Sequence, residues 1–442
     1  MPETSRRAFA AAVTALAAGP LLAGCGRVVG GRKSSGGSAK GSFTFWSSWS
    51  EGEPQQKVLA RQIAAFTKDT GIKVDVQWGG RDVFAKISPT LNAGTTPFDL
   101  IDGAQRNVRS VLVSTGNALS LNDVLGKPAE GETQPLSAAV KPAYTDLVTT
   151  GGDTWMIPYE VASSGFWFNA AAHPDIAADP PKTWDELTAL FQKAKAAGRA
   201  PIAQDGDIAL YNLYYFAELV VNQLGPDKLR AAAGDKTGDA LKDPAILAAA
   251  QRIEELVTQH YFAPGYSSSK FPALQQKWAA GKADFLYCGS WIPSETASYL
   301  ARGFKPGFFP MPNVAAGDGG SPEAYLIGFT VPKKAARATE AKQFISYFMN
   351  KQRLAAIATD TANLTPRSDI AAPAVLAGVQ KNLDAATKPL HGQYDGLVDY
   401  QSDWTTKVLE PLVNSLLFGK TSAKDFAAKL PERSAAYWSN NG

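Results

Sequence analysis

Residues Ser42-Phe43-Thr44-Phe45-Trp46 read as a short apolar strand, followed by the polar loop Ser47-Ser48-Trp49-Ser50-Glu51-Gly52. Beyond the loop, Val58, Leu59, Ile63 and Phe66 recur at helical spacing and share one face. Thr70-Gly71 stops that helix, and Ile72, Val74 and Val76 then alternate as a second strand. A third strand, Phe98 to Asp102, follows the loop Asn92-Ala93-Gly94-Thr95-Thr96-Pro97. Such a β-α-β-α-β run predicts a mainly parallel sheet covered by helices on both faces. Ligands of these sheets sit beyond the carboxyl ends of the strands, here Trp46–Glu51 and Asp102–Asn107.

Downstream, a second unit starts near Thr154-Trp155-Met156-Ile157-Pro158-Tyr159-Glu160 and continues in the strand Gly165 to Phe168. Thr183-Trp184-Asp185-Glu186 has the form of a helix capping box. Apolar spacing predicts helices over about 208–224, 244–259 and 271–280. Ala283 to Cys288 and Tyr325 to Val331 read as strands, and Phe308 to Pro312 as extended. Ala338, Ala341, Phe344, Ile345, Phe348 and Met349 mark a further helix. In the helical tail, Pro411 is expected to introduce a kink.

Upstream of the strand, Ser5-Arg6-Arg7-Ala8-Phe9 is a twin-arginine (Tat) signature, and Leu22-Ala23-Gly24-Cys25 looks like a lipobox. The apolar run between them is broken at Gly19-Pro20 and reads as a signal peptide's hydrophobic region. The chain is therefore expected to be a lipoprotein, with 1–24 a signal peptide and Cys25 the lipidation site. Residues 25–41 then form a tether, rich in Gly, Ser and Lys, with a reach of about 20–24 Å. This places the protein outside the cytoplasm, on the outer face of the bacterial cytoplasmic membrane.

With 442 residues, 45% hydrophobic and 19% charged, the chain has room for two or three domains. Its formal net charge is +3, but Arg27, Arg32, Lys33 and Lys40 of the tether supply that excess. The remaining body is slightly acidic, which argues against nucleic acid as a partner. Apart from Cys25 the only cysteine is Cys288, read as a buried hydrophobe within a strand. The three histidines, His173, His260 and His391, show no metal-binding spacing, and no nucleophile elbow or phosphate loop is present. Neither cofactor nor metal is expected.

The order of segments resembles family 1 extracellular solute-binding proteins, the maltose-binding-protein-like receptors of carbohydrate ABC importers. The resemblance rests on Phe43 to Trp49, Phe66-Thr67-Lys68-Asp69-Thr70-Gly71-Ile72-Lys73-Val74, Trp155 to Asn169, Gly281 to Trp291 and Gly328-Phe329-Thr330-Val331-Pro332. It implies an α/β, two-lobed periplasmic-binding-protein fold, class II-like, with a ligand cleft between lobes. Lobe one would comprise 42–158 plus 313–354, and lobe two 164–307 plus 356–442. Crossovers would lie near 159–163, 308–312 and 355. The implied function is sugar transport, not catalysis: a monomeric solute-binding protein closes on a mono- or oligosaccharide and hands it to an ABC permease. The competing readings are a receptor for a polyamine, metal complex or other small solute, an orphan surface lipoprotein, and a carbohydrate-active enzyme with a carboxylate pair.

Sugars pair apolar faces with a rim of hydroxyls, so aromatic platforms beside polar groups suit them. From the resemblance, Trp291 is the stacking residue after a strand end, and Trp404 a ligand-facing residue of the C-terminal helices. Trp49, Ser50 and Glu51 fall in the loop after the first strand, where maltose-binding protein instead carries an acidic-basic pair. Asp102, Arg106 and Asn107 follow the third strand; Tyr159 and Glu160 flank the first crossover; Asp205 and Tyr211 come from lobe two. Trp46 reads as a packed strand residue. Tyr214-Tyr215 would point about 100° apart on a helix, one into the core and one to the surface.

Overall fold

A computed structural model describes residues 41–91, 93–315 and 318–441. The signal peptide, Cys25 and nearly all of the tether lie outside the described residues. The described residues form one compact unit. No helix among the described residues is long and apolar enough to cross a membrane.

Two sheets organise the molecule. In the first, the strand Ser42–Ser47 pairs in parallel with Lys73–Trp78 on one side and Leu100–Ala104 on the other. The late strand Glu323–Thr330 runs antiparallel between Leu100–Ala104 and Ile157–Ala162, and the short strand His391–Gly392 pairs with its start. The second sheet has the order Pro306–Phe309, Ser164–Asn169, Ala283–Gly289, Ala200–Ala203, and only its last pair is parallel. The mainly parallel character expected of the first unit holds for its three leading strands; the late strand reverses it.

Helices close both faces. Val58, Leu59, Ile63 and Phe66 of helix Pro54–Thr70 pack into a cluster with Phe43, Phe45, Phe329, Phe344 and Phe348. Fully burying each such side chain stabilises by roughly 1.5–3 kcal/mol. Gly71, in the left-handed conformation, ends that helix. Around the second sheet, helix Trp184–Ala196 starts with the expected capping box, Thr183 and Glu186 each bonding the other's backbone. Helix Ala209–Leu224 is buried almost all round, so Tyr214 and Tyr215 are both in the core. The core-plus-surface expectation for that pair is thereby corrected. Before Pro411 the chain makes a π-helical turn, Thr405–Leu409, which accommodates the missing proline N–H at the start of helix Glu410–Leu417.

At Ser163 the chain passes from the first sheet to the second. The return occurs later than 308–312. Asn313 still pairs with Thr183, and the Gly319 N–H donates to Asn222 on the second unit's helix; the chain reaches the first sheet at Glu323. Nor does a crossover lie near 355. That position is inside helix Lys351–Thr361, which packs on Pro54–Thr70 through an apolar face that includes Leu354 and Ile357.

Candidate functional site

The carboxyl ends of Ser42–Ser47 and Leu100–Ala104 face those of Ala283–Gly289 and Ala200–Ala203 across the crossover, where the Ser163 N–H donates to Ser290 Oγ at 3.3 Å. On the first lobe, a buried chain of hydrogen bonds sets the position of Trp49. Its Nε1 donates to Tyr159 Oη at 2.7 Å, and Tyr159 donates to Asp102 Oδ2 at 2.8 Å. Asp102 Oδ1 takes the Ser48 N–H at 2.8 Å. Burial pushes the Asp102 pKa up to about 6 and lifts the Tyr159 hydroxyl well above its usual range. Both side chains are sealed in the lobe, so their role is to hold the Trp49 loop rather than to touch solute.

A residue not singled out from sequence completes this corner. The Arg81 guanidinium lies over the Trp49 ring at 4.5 Å, donates to Ser48 O at 2.6 Å and pairs with Glu53 at 2.9 Å. Gly80 lets its loop come this close: its φ is +66°, and a Cβ there would sit 2.9 Å from Ser50 Oγ. Ser50 and Glu51 themselves are exposed at the rim.

Glu160 is buried on the crossover strand, and its carboxylate is met by Gln55 Nε2 at 3.3 and 3.5 Å. Burial pushes its pKa from 4.5 to about 8, against the opposing charge of Arg81, so at neutral pH it keeps its proton and can donate. A carboxyl whose folded pKa is raised favours folding least when ionised. Its contribution is intact below pH 4.5 and is lost as pH rises through about 8. Glu160→Gln is therefore expected to raise the melting temperature at pH 9 relative to wild type, with the gain shrinking towards pH 5. Thermal unfolding across that range checks it; a gain independent of pH would contradict the assignment.

Aromatic rings line the second lobe. Trp291 caps the end of Ala283–Gly289 with its ring folded back over Gly289, where an added Cβ would fall 2.1 Å from the indole. Its centroid is 6.5 Å from Tyr211 and 6.2 Å from Tyr325, the latter on the first lobe's late strand. Tyr211 meets Phe271 at 6.3 Å, and Phe271 is 40% exposed. Arg106 stacks over Tyr325 at 5.3 Å and donates to Gln393, which donates to Tyr214 Oη. Arg106 is thus a fixed part of this wall. Asn107, one position on, is half-buried, and its carbonyl accepts from Ser110. On the same side Glu295 accepts from Gln275 at 3.0 Å; burial raises its pKa, and the charge of Arg81 opposes that rise.

Besides Asp102 and Tyr159, which are sealed in the first lobe, two more sequence expectations do not join the constellation. Asp205 receives the Leu274 and Gln275 N–H groups at 3.0 and 3.2 Å and the Ser269 hydroxyl at 2.6 Å, which spends it on the start of helix Ala273–Ala279. Trp404 is 0% exposed in the second lobe's core, and its indole N–H donates to Ser434. Trp46 stacks on Phe98 at 5.3 Å, as a packed strand residue does. Cys288 is a buried free thiol whose pKa burial drives far upward. Tyr325, Gln393, Gln275, Glu295 and Phe271 were not anticipated. Hollows of about 510 Å³ beside Gly41 and Asp69, and about 400 Å³ beside His173 and Arg199, lie at the opposite ends of the sheets.

Comparison with known proteins places this geometry in context. The chain is 25% identical over 236 residues to the diacetylchitobiose binding protein NgcE of Streptomyces coelicolor, covering 53% of this chain and 50% of that one. It is 27% identical over 241 residues to a probable sugar-binding periplasmic protein of Brucella melitensis, covering 52% and 51%. The matched region spans about half the length of these curated relatives. Among solved structures, the solute receptor AcbH, described as preferring β-D-galactopyranose, superposes with a TM-score of 0.73 at 18% identity, over 91% of this chain and 98% of that one. A chitin oligosaccharide binding protein gives 0.72 at 20% identity, over 90% and 99%. These structures share the two-lobed fold, and the relatives are binding proteins rather than enzymes. Since the model of the bacterial extracellular solute-binding proteins matches residues 48–352, well over half of the sequence, this chain belongs to that family.

Proposed function

We propose that the chain is a sugar receptor, held outside the cytoplasm by a lipid on Cys25, that encloses a mono- or oligosaccharide between its lobes and delivers it to the permease of an ABC importer as a monomer. The observation that carries this reading is the aromatic run Phe271–Tyr211–Trp291–Tyr325, bordered by Arg81, Arg106, Glu160 and Glu295 where the two sheets' strand ends meet. Neighbouring aromatic rings, edge-on or tilted to one another, beside fixed donors and acceptors suit a ligand with apolar faces and a hydroxyl rim. The sugar-binding relatives support the same class. The twin-arginine stretch and Leu22-Ala23-Gly24-Cys25 support export and anchoring. Lobe one is assigned to 42–162 and 323–361, and lobe two to 164–315 and most of the chain beyond 373, with closure about the segments between them.

Titrating residues 26–442 with monosaccharides, α- and β-glucans, chito- and xylo-oligosaccharides while following tryptophan fluorescence tests the proposal. One sugar series is expected to give a saturable change, with spermidine and ferric citrate silent. A response to either control with none to the sugars would overturn it.

A further inference from the structure

Behind the aromatic wall, three side chains far apart in sequence converge. Glu218 comes from helix Ala209–Leu224, Glu323 begins the late strand of the first sheet, and His391 begins the short strand beside it. All three are buried, and one ligand atom from each lies within 4.8 Å of the others. The imidazole is aimed by a second layer. Ser321 gives its own proton to Pro389 O at 2.6 Å, so at 3.1 Å its oxygen accepts the His391 Nδ1–H. That leaves Nε2 facing the carboxylates, 3.0 Å from Glu218 Oε1. Glu323 Oε2 receives the Tyr394 N–H at 3.3 Å, a long bond for a buried carboxylate.

We propose that Glu218, Glu323 and His391 bind a divalent metal ion, Zn2+ by donor chemistry, and that the ion joins the two lobes. Without metal, Glu218 pairs with the His391 imidazole at 3.0 Å. A divalent ion takes the place of the imidazole proton and meets both carboxylates, leaving a neutral imidazole and two acids whose charge of about −2 it cancels. One nitrogen and two oxygen ligands with a place left for water is a zinc donor set, and an outer-layer acceptor on the other imidazole nitrogen is the usual companion of a metal-binding histidine. Tetrahedral ligands about 2.0–2.1 Å from zinc are about 3.4 Å apart. His391 Nε2 and Glu218 Oε1, 3.0 Å apart, open slightly on loading, and the wider separations, up to 4.8 Å, draw in. Glu218 belongs to the second lobe's helix layer, whereas Glu323 and His391 are strands of the first sheet. The ion therefore braces the lobes from behind the ligand wall. This inference does not depend on the solute being a sugar.

The test uses residues 26–442, stripped with chelator, dialysed and reloaded with Zn2+, with Mg2+ as control. Expected are one zinc per chain by elemental analysis after gel filtration, a melting temperature raised by several degrees, and visible d–d bands when Co2+ replaces zinc. His391→Gln and Glu323→Gln should each weaken zinc binding at least tenfold; circular dichroism identifies any variant that fails to fold. Zinc bound equally by the folded variants would overturn the proposal. So would a stripped wild-type chain that takes up less than a tenth of an equivalent and melts at the same temperature with and without zinc, a result that needs no variant at all.

Discussion

Trp291→Ala is expected to weaken solute binding about 30- to 1000-fold, the 2–4 kcal/mol typical of a central aromatic anchor. Its ring is the one that meets Tyr211 of its own lobe and Tyr325 of the other, so its loss opens the platform on both sides. Gly289→Ala should imitate this loss with every aromatic residue still present, because the new methyl group occupies the space of the indole 2.1 Å away and turns the ring out. Trp291→Phe keeps a smaller apolar face and should fall between. Trp404→Phe supplies the contrast: it gives up a core hydrogen bond to Ser434 and leaves a void at a fully buried position, costing about 2–4 kcal/mol of stability, and leaves affinity within about twofold. Calorimetry is the proper readout, since Trp291 is itself a candidate fluorophore. Equal losses in the Trp291 and Trp404 variants would show that the wall has been misplaced.

Those two tryptophans also mark what a sequence can convey. Trp291 was legible through the family resemblance of Gly289-Ser290-Trp291, and its place just past the end of the strand Ala283–Gly289 follows from its immediate neighbours in sequence. Trp404 sits on a helix, and the face it presents depends on which neighbours cover that helix, here Ser434 and its surroundings. Asp205 failed for the same reason: an acid after a strand is equally suited to a ligand or to a helix start, and the helix at Ala273 took it. The first three strands and the capping box at Thr183 were readable because both are local patterns. The return crossovers were not, since Asn313 and Leu354 reveal their lobe only through distant partners, Thr183 and the helix Pro54–Thr70. Arg81, Tyr325 and the triad of Glu218, Glu323 and His391 share that property; 105 and 68 residues separate the triad's members, and no motif spans such gaps.

Arg367→Ala is expected to cost about 3 kcal/mol of stability, the low end for breaking a buried ion pair. The Arg367 side chain is only 3% exposed and its fork is fully engaged. Nε and one terminal nitrogen grip Asp369 at 2.9 Å each, while the other reaches both Glu132 oxygens at 3.0 and 2.9 Å and Met349 O at 2.8 Å. These bonds tie the segment after helix Lys351–Thr361 to the first lobe, next to the point where Leu364 O accepts the N–H of Val161 on the crossover strand. Glu132 and Asp369 keep some contact with water, 19% and 38% by side chain, which is why truncation should fall at the low end of the range. Lysine should recover only part of the loss, since a point charge cannot serve two carboxylates and a carbonyl at once. Arg367 also holds the Asp369 pKa below 3.8, so this contribution is present above that pH and fades as the solution is acidified through the lowered value. Urea unfolding of wild type and variant at pH 7 and again near pH 3 should show the difference narrowing in acid. An unchanged urea midpoint at pH 7 would mean that the segment beside the crossover is held by its backbone bonds alone.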